Sequence, residues 1–403
     1  MGRIAIVAHL PDYPDGGSSA RRVEAFARGL TDDAVQTLLI IPLKRTVGNL
    51  STEISGVQVR WLWQRGRLPG FLEILLSRIK LVAWGVGNIK KQSLSWLFLY
   101  NLNLEGVLLA LIGRLLGCRV VTIIGDIRDF QASGPKLAAL KTADYLLTKL
   151  SNLNVVDTRF LQRRAMRWAP RIPCLIVPPM VDTDRFRYDR ALGEAFRTKY
   201  GLGQKCVVGY FGMFYFNQGV ASLLEAVKLV ADRGGNLEVL VAGHTIKEIQ
   251  CDDIGRISER FGIQDRVHQL GWLSSAEVIA AMSACDILVI PRIAHPVNEA
   301  GSPTKLTEYL SMGKVVVAAA VGDIPRYHAI KQCFLMTEPG SAQSIAEALM
   351  HLVNSCTNRV ALGRAARSLA ESHFDYRVAL GPLKEAISLA GQSSGQQHRG
   401  GRG

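Results

Sequence analysis

The sequence predicts an α/β protein with two doubly wound parallel sheets that face each other across a cleft. Short apolar runs of strand length alternate with amphipathic stretches of helix length through both halves of the chain. The pattern starts with a strand at Arg3 to Ala8 and starts again at Cys206 to Phe211, after a polar linking helix. Because 403 residues usually form two domains, we expect one sheet in each half.

The predicted domain boundaries lie where this pattern restarts and where it ends. Residues 1–180 form the N-terminal domain, and residues 181–372 form the C-terminal domain. A closing helix at 373–391 is expected to return towards the N-terminal domain. The tail, 392–403, is rich in Gly, Ser and Gln, lacks the apolar residues of a core and is expected to be disordered.

Composition excludes several classes of protein. With 48% hydrophobic and 20% charged residues, the chain has the make-up of an ordinary globular protein. Its seven cysteines are scattered without a CxxC pair, which argues against a disulfide framework or a zinc site and favours a reducing, cytoplasmic compartment. The first residues, MGRIAIVAHL, are too short an apolar run for a signal peptide. No run reaches 18 uninterrupted apolar residues, so no membrane-spanning helix is predicted.

The net charge of +14 favours an anionic partner. The sequence shows no RRM, zinc-finger or homeodomain signature, so nucleic acid is not expected. Between Trp61 and Arg119 the cations flank long apolar stretches, above all a predicted helix from Gly70 to Val86. Such a helix suits either an anionic membrane surface, at the inner face of the plasma membrane, or the interior beneath the first sheet. Both interpretations stay open, beside that of a generally basic surface.

The stretch from Pro291 to Ala320 carries the clearest chemical signal. A buried strand, Ile287 to Ile290, ends in a polar loop, and Ser302-Pro303 then predicts a helix start with Ser as N-cap and Pro at the first helical position. A helix N-terminus beside the carboxyl end of a parallel strand is where α/β proteins hold phosphates. Lys305 adds a cation there and Glu308 a carboxylate on the same face. The stretch therefore offers positive groups for a diphosphate and a carboxylate for hydroxyls.

Three other positions need two interpretations each. The pair Gly16-Gly17 after the first strand allows close approach to a ligand, but an ordinary turn explains it equally simply. Asp126 follows the strand Arg119 to Gly125, where a carboxylate serves an acceptor hydroxyl or forms a loop ion pair. Asp182-Thr183-Asp184 is formally a DxD metal motif, yet three residues in a domain connection are explained by turn and capping roles.

Four segments, in order along nearly the whole chain, together resemble one family. The Gly16-Gly17 loop precedes a helix, and VPPMVDTDRF is similar to an NGVDxxxF hinge. VVGYFGMFYFNQGVASLLEAV is similar to xxGRLxxxKGxxxLLxA, and SPTKLTEYLSMGKVVVAA to P(S/T)K…EY…GKPVVA. The chain thus resembles the retaining GT-B glycosyltransferases of the family-4 type (glycosyltransferase group 1), and its last segment resembles the subgroup with capsule and colanic-acid transferases.

The resemblance implies a role for each matching residue. Glu308 would contact the donor ribose, as the second Glu of the family's E-x7-E pattern. Gly212 and Gly219 would lie on the loop that faces the diphosphate, and Gly16 with Gly17 near the donor phosphates and the acceptor. The resemblance implies that the substrate is a nucleotide sugar. Because family members need no metal, it also implies that no cofactor is required.

The sequence also departs from the family pattern. The first Glu of E-x7-E is Ala300 here, and Glu299 lies one place away. The phosphate-clamping Arg and Lys are replaced by Met213 and Gln218. Since a leaving diphosphate gains charge in the transition state, losing two cations is expected to cost several kcal/mol. The candidates to compensate are Lys305, Arg292 and the dipole of the helix that begins near Thr304.

The expected function is transfer of a sugar, with retention, from a nucleotide sugar to a lipid-linked or polysaccharide acceptor. Glu299 would approach the donor sugar and Asp126 would handle the acceptor hydroxyl. The missing cations and the missing first Glu also suggest a non-catalytic partner subunit that binds nucleotide or membrane. A sugar-nucleotide epimerase on the same two-domain fold is a third interpretation, which the basic, apolar N-terminal half supports little.

Overall fold

A computed structural model describes residues 2–10, 12–14, 17–32, 34–44, 49–66, 68–127, 133–243, 252–301 and 303–397, with side chains described except at 356 and 391–397. The chain divides into two compact units. Unit 1 comprises Met1–Met180 and Tyr376–Gly403, and unit 2 comprises Val181–Asp375.

Unit 1 is built on an eight-stranded sheet. Its strands are β1 Gly2–Ala8, β2 Val35–Lys44, β3 Ser51–Ile54, β4 Val57–Gln64, β5 Trp96–Tyr100, β6 Arg119–Ile124, β7 Leu153–Val156 and β8 Cys174–Ile176. Their order is β3-β4-β2-β1-β5-β6-β7-β8, and only the β3–β4 pair is antiparallel among these strands. The first helices are α1 Gly17–Leu30, α2 Gly70–Asn88, α3 Leu104–Leu115, α4 Gly134–Leu150 and α5 Arg159–Trp168.

Alternating side chains of the strands divide the core of unit 1 into two layers. Ile4 and Ile6 of β1 pack in one cluster with Phe26 of α1. Ala5 and Val7 pack on the other side of the sheet, in a cluster that includes residues of α2, α3 and α4. The sheet is therefore covered by helices on both faces.

Unit 2 is built on a six-stranded parallel sheet. Its helices are α6 Arg190–Lys199, α7 Val220–Asp232, α8 Ile254–Phe261, α9 Ser275–Ala284, α10 Pro296–Ala300, α11 Thr304–Ser311, α12 Ile324–Ile330, α13 Ala342–Val353 and α14 Cys356–Leu369. Its strands are β9 Cys206–Phe211, β10 Leu237–Ala242, β11 Val267–Gly271, β12 Ile287–Ile290, β13 Val315–Ala319 and β14 Leu335–Thr337. They lie in the order β11-β10-β9-β12-β13-β14, with core clusters on both faces. The predicted class, two doubly wound parallel sheets, is confirmed.

The chain ends with α15 Tyr376–Ala379 and α16 Gly381–Gln397, both in unit 1. They pack on α1, where a Cβ on Gly29 would meet Leu380 Cδ1 at 2.3 Å, so the absence of a side chain allows this contact. Helix α16 continues beyond residue 392, where the sequence analysis places the start of disorder, and residues 398–403 lie outside the described residues.

The structure corrects two details of the sequence analysis. Strand β5 was not predicted because all five of its residues are buried, so it lacks the alternation of a half-exposed strand and merges with α3 in one apolar stretch. Helix α11 begins at Thr304, which places Pro303 in the N-cap position and not at the first helical position. Ser302 lies outside the described residues. The elements β3, α3, α10, α12 and β14 were also not predicted.

None of the helices that the structure describes combines the length and the apolarity needed to cross a lipid bilayer.

Candidate functional site

The carboxyl edge of the unit 2 sheet brings several predicted residues together. Gly212 directly follows β9, and its N–H donates to Ala242 O at the end of β10 (2.8 Å). The Lys305 side chain, from the first turn of α11, crosses over this glycine. A Cβ on Gly212, whose φ is +149°, would lie 2.2 Å from Lys305 Cε. A side chain here would displace the end of the lysine, and the positive φ itself favours glycine.

Lys305 is held at this edge by two hydrogen bonds. Its Nζ donates to Gln218 Oε1 (2.8 Å) and to Tyr210 Oη (3.2 Å), and it lies 4.9 Å from the centre of the Tyr210 ring. Burial of the ammonium lowers the pKa of Lys305 to about 7; the nearby charge of Arg292 lowers it further, and Glu308 acts against both. A cation of this kind gains by binding an anion, which replaces the lost hydration.

The loop before α7 is fixed by a glycine and two asparagines. Gly219 has φ +73°, and a Cβ there would lie 1.9 Å from Pro291 O. The Asn298 Nδ2 group of α10 donates to Asn217 O (2.6 Å) and to Ile293 O (2.8 Å). These bonds tie the loop that carries Gln218 to the loop after β12. The sequence analysis missed both asparagines, because polar residues in loops give no signal that distinguishes them.

Three other predicted residues belong to the same edge. Arg292 Nη1 donates to Gly301 O (3.4 Å). Thr304 opens α11, and its carbonyl accepts from Thr307 Oγ1 (2.9 Å). Glu308 is 8% exposed, and its charge acts on Lys305. The edge thus combines two cations, a helix N-terminus and a carboxylate.

Glu299 makes a contact that the sequence analysis did not predict. It lies in α10 with its side chain exposed, and its Oε2 accepts from the N–H of Gly322 (3.1 Å), in the turn between β13 and α12. The two described hydrogen bonds of Lys305 go to Tyr210 and Gln218, not to Glu299. The carboxylate that the sequence analysis places near the donor sugar is therefore bonded to a backbone turn in this structure.

In unit 1, the predicted residues lie at the carboxyl edge of the first sheet. Gly17 opens α1 with φ +63°, while Gly16 lies outside the described residues. Asp126 follows β6, and its Oδ1 accepts from the N–H of Ile127 (2.8 Å). The charge of Asp126 acts on Asp157, which follows β7.

A buried ion pair beside Asp126 was missed by the sequence analysis. Arg22 of α1 pairs with Asp157, and their side chains are 4% and 3% exposed. Burial raises the pKa of Asp157 to about 7, although Arg22 opposes the shift. Burial also raises the pKa of Tyr100, at the end of β5, to about 12. Sequence position could have pointed to these residues, because Tyr100 and Asp157 both follow or end strands and Arg22 interrupts the apolar face of a helix.

A second polar pair ties β1 to α3. His9 Nε2 lies 2.8 Å from Glu105 Oε1, which also accepts from the N–H of Asn103 (3.1 Å). Burial alone would raise the pKa of Glu105, but the hydrogen bond and charge of His9, with a contribution from Arg78, outweigh it and lower the pKa to about 2. Glu105 therefore remains a carboxylate although it is 5% exposed.

The formal DxD segment forms a turn. Asp182 Oδ1 accepts from the N–H groups of Asp184 (3.1 Å) and Arg185 (3.3 Å). Within the described parts of the chain, no three His, Cys, Asp or Glu side chains lie close enough together to hold a metal ion.

Residues 205–355 match the family model described as "Glycosyl transferases group 1". The matching stretch covers less than half of the chain. It contains every candidate residue of the unit 2 edge, from Gly212 to Glu308, whereas Gly16, Gly17 and Asp126 lie outside it.

Two curated relatives match about half of the chain. The 2-deoxystreptamine glucosyltransferase of Streptomyces kanamyceticus is 27% identical over 208 residues, which are 51% of this chain and 52% of the relative. The GDP-mannose-dependent alpha-(1-6)-phosphatidylinositol monomannoside mannosyltransferase of Mycobacterium tuberculosis is 26% identical over 208 residues, covering 51% and 53% of the two chains. The chain thus spans about half the length of these relatives.

Solved structures match nearly the whole chain. The crystal structure of Anabaena HepE in complex with UDP-glucose has a TM-score of 0.73 at 16% identity, and the match covers 98% of this chain and 100% of that one. Likeness at this identity shows the fold alone. The fold is that of the GT-B glycosyltransferases, with two Rossmann-like domains.

Proposed function

We propose that the protein is a glycosyltransferase that moves a sugar from a nucleotide sugar to a hydroxyl acceptor. The observation that carries the proposal is the Lys305 ammonium, held over Gly212 in the first turn of α11 by Gln218 and Tyr210. A cation and a helix N-terminus at the carboxyl edge of a parallel sheet suit a diphosphate. This edge lies in the stretch that matches the glycosyltransferase group 1 model.

Lys305 and Arg292 would stabilise the leaving diphosphate. Negative charge grows on the diphosphate as the bond to the sugar breaks, so cations fixed in place favour the transition state over the bound donor. Arg292 would compensate in part for Met213, which stands where the family pattern that this segment resembles has an Arg. Gln218 stands where the family pattern has a second cation. Unlike Met213, it has a side-chain carbonyl that accepts a hydrogen bond from Lys305 and orients its ammonium.

The other candidate roles are proposals of the same kind. Glu308 would accept hydrogen bonds from the donor ribose. Gly212 and Gly219 would lie on the loop that faces the diphosphate, and Thr304 would present its backbone N–H to the phosphates. Gly16 and Gly17 would line the donor and acceptor side, and Asp126 would bind the acceptor hydroxyl. For Glu299 to approach the donor sugar, its bond to Gly322 would have to break.

We further propose that the transfer retains the anomeric configuration and needs no metal, as the resemblance to family-4 enzymes implies. The acceptor would be a lipid-linked molecule or a polysaccharide of the cell surface, reached at the cytoplasmic face of an anionic membrane. One curated relative is named for a phosphatidylinositol monomannoside, which supports a lipid-linked acceptor, and HepE binds UDP-glucose, which supports a nucleotide-sugar donor.

A non-catalytic partner subunit is the second candidate. Two observations favour it: Met213 in place of a cation, and a Glu299 carboxylate bonded to the Gly322 backbone. Such a subunit would bind nucleotide without turning over a donor.

Calorimetry with UDP and GDP, combined with donor-hydrolysis assays, separates these candidates. We expect Lys305→Ala to weaken nucleotide binding about ten- to a hundredfold, because a hydrogen bond to a charged group contributes about 1.5–3 kcal/mol. Lys314→Ala is the matched control: Lys314 is also a partly buried lysine of unit 2, but it precedes β13, at the opposite edge of the sheet. Equal effects of both variants would refute the assignment, and nucleotide binding without any turnover would favour the partner subunit.

A further inference from the structure

The outer surface of α2 is apolar, although surface helices normally expose polar residues. Phe71, Leu75, Ile79 and Val86 lie on one side of the helix and are between 51% and 70% exposed. Ile74, on the same side, is 45% exposed. These are large apolar side chains in contact with solvent along four turns of helix.

Helix α3, which packs beside α2, repeats the pattern with leucines. Leu104, Leu108, Leu111 and Leu115 follow the spacing of one helix face and are between 41% and 85% exposed. The two helices are neighbours in unit 1, and we call their two exposed stripes together the α2–α3 face. Large exposed apolar patches mark interaction sites.

The buried sides of both helices carry polar residues, two of which are acidic. Glu73 and Ser77 of α2 are 2% and 1% exposed, and Glu105 of α3 is 5% exposed. Glu73 Oε1 accepts from the N–H of Gly66 (2.6 Å), and Glu105 contacts His9 and the backbone of Asn103. The usual arrangement, with charge outside and leucine inside, is thus partly inverted. The exposed apolar residues therefore do not result from a shortage of polar residues in these helices.

Exposed cations lie close in sequence to both stripes. Lys80 follows Ile79 in α2, Lys90 and Lys91 follow the end of this helix, and Arg114 of α3 donates to Leu150 O (3.0 Å). Lys80 Nζ lies 4.3 Å from the ring of Trp63. An apolar stripe bordered by Lys and Arg suits the interface of an anionic bilayer, where acyl chains meet phosphate groups.

We propose that the α2–α3 face docks on the surface of an anionic lipid bilayer. A second copy of the chain is disfavoured, because two chains with a net charge of +14 each would meet through basic borders. The inference deepens the proposed function and rests on it for the lipid-linked acceptor. The docking itself involves no residue of the donor edge.

Flotation with lipid vesicles tests the proposal on the full chain. Wild-type protein should float with phosphatidylcholine vesicles that contain phosphatidylglycerol and should bind less as salt screens the charges. The variant Phe71→Ser/Leu75→Ser/Leu108→Ser should lose at least about tenfold in vesicle affinity, because each apolar side chain contributes through burial. The matched control, Ile330→Ser/Met336→Ser/Val360→Ser, removes three similarly exposed apolar side chains from unit 2 and should bind like wild type.

Absence of flotation at low salt, or equal losses in both triple variants, would overturn the proposal. So would a dimer in light scattering that dissociates in the α2–α3 variant while vesicles remain unbound. Thermal melting should be unchanged in the α2–α3 variant, because the substituted side chains are exposed. UDP calorimetry on the same samples separates the two proposals. If the wild type does not bind UDP, the proposed donor site is refuted; if it binds UDP but does not float with vesicles, only the docking proposal is refuted.

Discussion

Lys305 Nζ lies 2.8 Å from Gln218 Oε1, and Gln218 stands where the family pattern that this segment resembles has a lysine. The two residues are 87 positions apart. Gln218 lies in the segment after β9, and Lys305 lies in α11, after the neighbouring strand β12. A lysine at position 218 would repel Lys305, whereas the glutamine carbonyl accepts a hydrogen bond from it. The chain therefore has one oriented ammonium where the family pattern has separate cations.

Gln218→Met should weaken nucleotide binding about five- to tenfold, because it removes the acceptor that orients Lys305, a bond worth about 1 kcal/mol or slightly more. UDP calorimetry measures the effect. Gln204→Met, at an exposed glutamine of the same unit, should leave affinity unchanged. Wild-type affinity in Gln218→Met would show that Lys305 needs no orienting partner.

UDP affinity should fall as the pH rises above 7. The pKa of Lys305 is lowered to about 7 in the free protein, so the side chain is cationic below that pH and increasingly neutral above it. A bound diphosphate favours the cation, so binding above pH 7 takes up a proton and loses up to about tenfold in affinity per pH unit. Calorimetry at pH values from about 6 to about 9, in steps of about one pH unit, measures how UDP affinity changes with pH. A slope that persists in Lys305→Met would assign it to another group.

Gly219→Ala should destabilise the protein by about 2–4 kcal/mol, because it adds a backbone clash to left-handed strain. The new Cβ would meet Pro291 O at 1.9 Å. Gly262→Ala isolates the strain: its φ is +64°, but nothing lies within 4 Å of a Cβ there, so a loss of about 1 kcal/mol is expected. Urea unfolding measures both. Equal losses would mean that the loop before α7 moves to avoid the clash.

Arg22→Met should cost about 3–5 kcal/mol near neutral pH, because it leaves Asp157 buried without its cation. Part of the loss should return below pH 7, where a carboxyl with a raised pKa takes up a proton more readily. Thermal unfolding at two pH values measures this. Arg190→Met, which breaks an exposed pair with Glu194 on α6, should have no measurable effect. A loss in Arg22→Met that does not vary with pH would contradict the role given to Asp157.

Much of the candidate site follows from local sequence. Gly212 and Asp126 were predicted at strand ends because buried strands and the residues that terminate them have a local pattern. In the structure Gly212 directly follows β9, and Asp126 lies two residues after the end of β6. Lys305 was predicted in the first turn of a helix, and it is there. The chemistry expected of these residues depends on position alone, so it needed no knowledge of strand order.

The contacts of these residues could not be predicted in the same way. No local pattern shows that Glu299 bonds to Gly322 or that Arg22 pairs with Asp157, because both contacts join segments brought together by the sheet. The sequence also contained no sign that α2 exposes apolar side chains and buries Glu73. Sequence alone left the helix from Gly70 to Val86 either buried or interfacial, and the structure exposes its Phe71 side.

The sequence by itself determined the alternation of strands and helices, the two sheets and the positions of the glycines and charges at their edges. Periodicity of burial is a local property, so it survives without knowledge of the fold. Tertiary structure decided which loops meet, and therefore that Lys305 crosses Gly212 and bonds Gln218. Those contacts depend on strand order, because β9 lies beside β12 and this brings Gln218 and Lys305 within hydrogen-bonding distance.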